Sequence, residues 1–152
     1  MSNQLVQRAF MSAVFCFLLF SVCSPISAQN SGQVRPIQGM ADGSVVGQIP
    51  PNGLEISYVG RASHLGKHRR DEVLYLNPDG SVTGQIVFYS ANGDQLNANV
   101  TGQFVSPTTA QGHYSFAGGT GRFTGATGQA QFEAVTPDGL NVRVRFSGTI
   151  NY

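Results

Sequence analysis

The C-terminal stretch constrains the fold more than any other part of the chain. Leu140, Val142, Val144, Phe146, Gly148 and Ile150 alternate with Asn141, Arg143, Arg145, Ser147 and Thr149. Successive side chains of a strand point to opposite faces, so this pattern dictates one face in a core and one in water. The same parity recurs upstream. Val82, Gly84, Ile86 and Phe88 oppose Thr83 and Gln85, and Leu96, Ala98, Val100, Gly102 and Phe104 oppose Asn97, Asn99, Thr101 and Gln103.

The punctuation between these runs agrees. Ala91-Asn92-Gly93-Asp94 centres on Asn-Gly, which tolerates positive φ and marks a tight hairpin. Asn77-Pro78-Asp79-Gly80 and Thr136-Pro137-Asp138-Gly139 repeat one turn, in which Pro sets the first corner and Gly releases the chain. Strands are expected at Ser44–Ile49, Leu54–Leu65, Asp71–Leu76, Ser81–Ser90, Gln95–Val105, Gln111–Gly118, Phe123–Val135 and Leu140–Tyr152. Long strands joined in order by short turns favour an all-β, eight-stranded antiparallel up-and-down β-barrel. A two-sheet sandwich is the alternative, because alternation does not register closure.

The N-terminus follows a different rule. Arg8 is the only charged residue before position 29, Ala9 to Val22 is apolar, and Ile26-Ser27-Ala28 ends in a small residue. A basic start, a short apolar middle and a small-residue exit describe a signal peptide over residues 1–28, and hence a secreted or periplasmic protein. The apolar run is shorter than the roughly 20 residues of a spanning helix. Cleavage would remove both cysteines, Cys16 and Cys23, and with them any disulfide or thiolate metal ligand. Lipidation at Cys23 is the competing reading, on a poor lipobox match. Cleavage would also take Arg8 from the 9 basic residues and leave the rest matched to the 8 acidic ones. A formally neutral chain without an aromatic and basic platform argues against nucleic-acid binding. Residues 29–40 read as a flexible leader and 41–152 as the barrel domain, with no later apolar run able to span a membrane.

One segment carries a family signature. Tyr114-Ser115-Phe116-Ala117-Gly118-Gly119-Thr120-Gly121-Arg122-Phe123-Thr124-Gly125-Ala126-Thr127-Gly128-Gln129-Ala130 resembles the G-G-T-G-x-F-x-x-A-x-G-x-A signature of plant dirigent proteins. Allene oxide cyclases carry a related form, and the chain resembles small secreted bacterial proteins grouped with that barrel. The resemblance covers roughly Ser57 to Tyr152, its specific motif Gly118–Ala130. It implies an eight-stranded barrel with a lumen for an apolar small molecule, and a homotrimer as the oligomer to consider. It transfers no catalytic residue.

The motif's glycines also have a structural reading. Gly118, Gly119 and Gly121 allow a sharp turn at positive φ, while Gly125 and Gly128 are expected within the next strand as a bulge or a close approach. Phe123 would open that strand. A phosphate-cradling loop would need a following helix, and residues 123–135 alternate as a strand instead.

Few residues offer chemistry. His64 shares the parity of Leu54, Ile56, Tyr58, Gly60 and Ala62, which points it inward. With Tyr58 and Tyr114 it forms the candidate ligand-binding set, against the simpler reading of a satisfied core histidine. His64, His68 and His113 lack metal-site spacing on strands, with His113 on the outer parity, so neither metal nor cofactor is called for. Gly66-Lys67-His68-Arg69-Arg70 followed by Asp71-Glu72 reads as a solvated connection between strands. Arg143 and Arg145 are set for cross-strand ion pairs with Glu133. Asn99-Val100-Thr101 is a glycosylation sequon, relevant to a eukaryotic source only. No nucleophile elbow or carboxylate pair assembles. Two functions follow: a secreted barrel that binds a small apolar ligand or serves an accessory role without turnover, and, as the alternative, a cyclase, isomerase or dirigent-like protein steering a reactive substrate in its lumen.

Overall fold

The computed structural model describes residues 32–152; the expected signal peptide and both cysteines lie outside them. Eight strands run in chain order: β1 (Val34–Ile49), β2 (Gly53–Ala62), β3 (Gly66–Leu76), β4 (Ser81–Tyr89), β5 (Gln95–Ser106), β6 (Thr109–Gly119), β7 (Thr127–Val135) and β8 (Asn141–Asn151). Each pairs antiparallel with the next, and β8 pairs with β1, so the sheet closes into a barrel rather than a sandwich.

The closure rests on the length of β1. Its 16 residues face β8 from Val34 to Ser44 and β2 from Gly39 to Ile49. The two pairings overlap only in the middle of the strand, a stagger that a closed, tilted sheet requires. Strand formation at Val34 corrects the leader expected over residues 29–40, whose second half is barrel wall. Pro36, within that segment, opposes Thr149 in the ladder to β8.

Inner residues follow the expected parity, and Ile56, Tyr58, Val82, Ile86, Phe88, Val100, Tyr114, Val144, Phe146 and Ile150 are all buried. The barrel's two ends differ. At the end holding the β2–β3, β4–β5 and β6–β7 connections, Leu65, Leu96, Phe123 and Ala126 are buried and join Ile37 and Ile150 in a packed plug. The opposite end carries the other four connections and stays open inside.

Several local expectations change. A single 3-10 turn, Gly121–Phe123, replaces the start of the strand expected from Phe123, so β7 begins at Thr127. Gly125 therefore lies in a turn at φ +73 rather than within a strand. Gly119 is absent from the positive-φ positions; a side chain there would meet the backbone carbonyl of Gln95. Leu140, expected inward, precedes β8 and is 62% exposed, because Asp138 draws the backbone N–H groups of Leu140 and Asn141 into the turn. On the outer face Arg143 pairs with Asp42 at 2.6 Å. Glu133 lies opposite Arg145 in register but accepts a hydrogen bond from Gln111 instead of the expected arginine pairing.

Candidate functional site

The open end encloses a cavity of about 280 Å³. Its walls are apolar, with Leu54, Ile56, Leu74, Val82, Phe104 and Val142 among them, and its mouth is rimmed by Pro107, Thr108, Thr136 and Pro137. Tyr58, Arg70, Glu72 and Tyr114 also line it. A largely apolar cavity with a few convergent polar groups is the usual form of a small-molecule site.

The polar group is organised by β3. Arg70 and Glu72 share the inner parity of that strand, and their side chains are 1% and 3% exposed. Arg70 Nη2 donates to Glu72 Oε2 at 2.7 Å, and Nη1 donates to the Tyr114 hydroxyl at 3.0 Å. The guanidinium carbon also lies 4.0 Å from the Tyr58 ring centroid, so the cation is held by a ring face as well as by hydrogen bonds. Tyr114 stacks on Phe132 with centroids 4.7 Å apart and planes 13° from parallel, which fixes its hydroxyl. Removing two charges from water costs several kcal/mol per ion, and only such close mutual compensation makes their burial tolerable.

Electrostatics define the protonation of these groups. Burial, reinforced by Glu72, raises the Tyr58 hydroxyl well above its ordinary value and outweighs the opposing pull of Arg70. Burial likewise raises Tyr114, with Arg70 opposing and Glu72 assisting. Both phenols therefore remain protonated donors. Burial alone would lower Arg70, but Tyr114, Glu72 and Tyr58 outweigh it, and the guanidinium is raised. The result is a fixed cation and two neutral hydroxyls in an otherwise apolar lumen.

Tyr58 and Tyr114 thus stand together on the inner face, as their parity requires. His64 does not join them. β2 ends at Ala62, and His64 adopts φ +65 in the following turn, where its Nε2 meets the Pro36 carbonyl at 3.0 Å. Alternation ends with the strand at Ala62, so its parity does not extend to His64. His113 is exposed on the outer face, while His68 is buried, so the three histidines occupy three different environments.

The segment 66–70, read as a solvated connection, is the first half of β3 and carries His68 and Arg70 inward. Its charge concealed it. A signal was nonetheless present: counting back by twos from Leu76 and Leu74 reaches Glu72, Arg70 and His68. Of the motif residues, Gly118, Gly121, Gly125 and Gly128 have positive φ and Phe123 is fully buried in the plug. The signature serves the closed end of the barrel, away from the cavity mouth. Among the described residues, no group of three or more His, Cys, Asp or Glu is arranged to hold a metal ion.

No family model matches the sequence, and no curated protein matches it. Solved structures do. The pterocarpan synthase dirigent protein GePTS1 is similar over 89% of this chain and 99% of its own, with a TM-score of 0.55 at 14% identity. The pterocarpan synthase dirigent protein PsPTS1 is similar over 79% of this chain and 96% of its own, with a TM-score of 0.53 at 12% identity. This chain has the fold of the dirigent proteins, a closed eight-stranded antiparallel barrel.

Proposed function

We propose that the protein binds a small, largely apolar molecule in the barrel lumen, with the polar end of that molecule at the Arg70–Glu72–Tyr58–Tyr114 group. The observation that carries this reading is the cavity itself, apolar along its walls and supplied with fixed hydrogen-bonding groups. The N-terminal pattern supports a secreted or periplasmic site of action, to be checked by N-terminal sequencing of the exported protein. Native mass spectrometry of the untagged protein, followed by denaturing extraction, tests the binding reading. A stoichiometric small molecule that is lost in Ala134→Trp, a variant that fills the lumen, supports it. An empty wild-type protein that also takes up no apolar probe rejects it.

A second reading has its own support. Steering a reactive substrate requires several polar groups around one point, and the structure places four of them together. Two proteins of similar fold are pterocarpan synthases. Under this reading the lumen holds a ring-closing substrate, with Glu72 accepting a proton and Arg70 and the tyrosines holding the oxygen that carries developing charge. Product formation that is lost in Glu72→Gln, with ligand uptake retained, would favour this second reading over simple binding.

A further inference from the structure

The charge of the lumen's polar group is already balanced, and this bears on which molecules can enter. Arg70 supplies one positive charge and Glu72 one negative charge at 2.7 Å, and both side chains are almost wholly buried. A carboxylate arriving at Arg70 would also arrive beside Glu72, in a region where apolar walls screen poorly. Its attraction to the guanidinium would be offset by repulsion from the carboxylate, while its own loss of water would remain uncompensated.

The hydrogen-bonding capacity left over is one acceptor on Glu72 and two donors, the Tyr114 proton and Arg70 Nε, which is buried without a partner among the described residues. Glu72 uses Oε2 for Arg70, and its Oε1 has no hydrogen-bond partner among the described residues although Glu72 lines the cavity. Tyr114 accepts from Arg70 through its oxygen, so its own proton is available to a ligand. An ionised carboxylate oxygen can only accept, whereas a phenol can donate. A ligand group that both donates and accepts satisfies the pair, giving its proton to Glu72 and taking one from a tyrosine. A hydroxyl does this. A ketone accepts but leaves Glu72 Oε1 dry and unpaired, which a buried polar atom pays for in affinity.

We infer that the lumen selects uncharged apolar molecules ending in a hydroxyl, and that Glu72 is the residue that sets this specificity by rejecting carboxylates and accepting the hydroxyl proton. The inference rests on the lumen being a binding site and adds the chemical class of its occupant.

The test uses three probes of equal chain length, octan-1-ol, octan-2-one and octanoate, titrated into the wild-type protein, Glu72→Gln and Ala134→Trp at neutral pH. Wild type is expected to bind the alcohol at least about tenfold more tightly than the carboxylate, a factor equivalent to about 1.4 kcal/mol. The ketone should fall between them or below. In Glu72→Gln the positive charge of Arg70 is no longer neutralised, so octanoate should gain at least about tenfold relative to octanol. Octanoate binding wild type as tightly as octanol overturns the inference and leaves the lumen reading standing. An unchanged ratio in a folded Glu72→Gln also overturns it, because the preference then comes from the apolar walls alone. If that variant does not fold, the wild-type order of alcohol against ketone decides: a ketone equal to or tighter than the alcohol rejects the role of Glu72 as acceptor. Failure of all three probes, or binding unaffected by Ala134→Trp, rejects the lumen reading and this inference with it.

Discussion

Arg70 donates to the Tyr114 hydroxyl across the lumen at 3.0 Å and so ties β3 to β6, two strands that share no ladder. The bond spans the barrel rather than following its wall. It is the polar counterpart of the aromatic contacts that Tyr114 makes with Phe132 and Phe146.

Breaking this arrangement on one side should cost more than removing its charges together. Arg70→Met leaves Glu72 as an uncompensated buried charge and is expected to lower stability by about 3–5 kcal/mol. The double variant Arg70→Met/Glu72→Leu removes both charges and should recover most of that loss. Tyr114→Phe keeps the stack on Phe132 but gives up a hydrogen bond from a charged donor, a loss of about 1.5–3 kcal/mol. Urea unfolding of the three variants measures the order. A double variant less stable than Arg70→Met would refute the account.

His68 should make the barrel sensitive to mild acid. It is 2% exposed, its Nε2 has no partner among the described residues, and Phe88 lies 5.7 Å away. Burial lowers its pKa from the ordinary 6.5, with Arg70 adding to the effect and the Gly66 carbonyl opposing it. Between the lowered value and 6.5 the unfolded chain holds more protons than the folded one, so stability falls as pH drops through this window. The urea midpoint should decline from pH 7 to pH 5, and His68→Leu should flatten that slope. An equal slope in the variant would place the sensitivity elsewhere.

Asp138 acts at lower pH and with opposite local chemistry. It accepts hydrogen bonds from the backbone of Asn141 and Leu140 and from the Asn141 side chain, which hold its carboxyl down at about 2. The folded form thus keeps the carboxylate that the unfolded chain protonates near 3.8. Its contribution is present above that value and is lost as pH falls towards 2. Asp138→Asn should unfold with a shallower dependence on pH between 4 and 2, while the β7–β8 turn persists. Carboxyl titration by NMR gives the direct check.

Two glycines of the signature should respond differently to alanine. Gly128 has φ +132, and an added Cβ would meet the Thr149 carbonyl and the backbone of Ile150 on β8. Gly128→Ala must push two paired strands apart, and overpacking of this kind costs about 1–3 kcal/mol on top of backbone strain. Gly125 has φ +73 but nothing within 4 Å of the added atom, so Gly125→Ala faces only the left-handed backbone penalty of about 1–2 kcal/mol. Thermal unfolding of the two variants should rank Gly128→Ala as the less stable.

Alternation in the sequence marks most of the strands and their faces, but not the first halves of β1 and β3. Period two in β4, β5 and β8 is a direct imprint of a sheet with one side in a core, and the same parity on β2 and β6 puts Tyr58 and Tyr114 on the inner face, where both are buried. Turn residues located most connections for the same local reason. Tertiary structure alone decided the rest. Closure depends on the register of β8 against the first half of β1, a pairing between the first and last strands that no local pattern records, and it makes the second half of the expected leader part of the wall. It also decided the fate of charge. Arg70 and Glu72 look like surface residues because burying either alone is prohibitive, and only the lumen brings Tyr58 and Tyr114, from two other strands, to the place where the pair can be buried. His64 shows the converse, since its parity was sound up to Ala62 and a turn at positive φ then carried it out of the barrel.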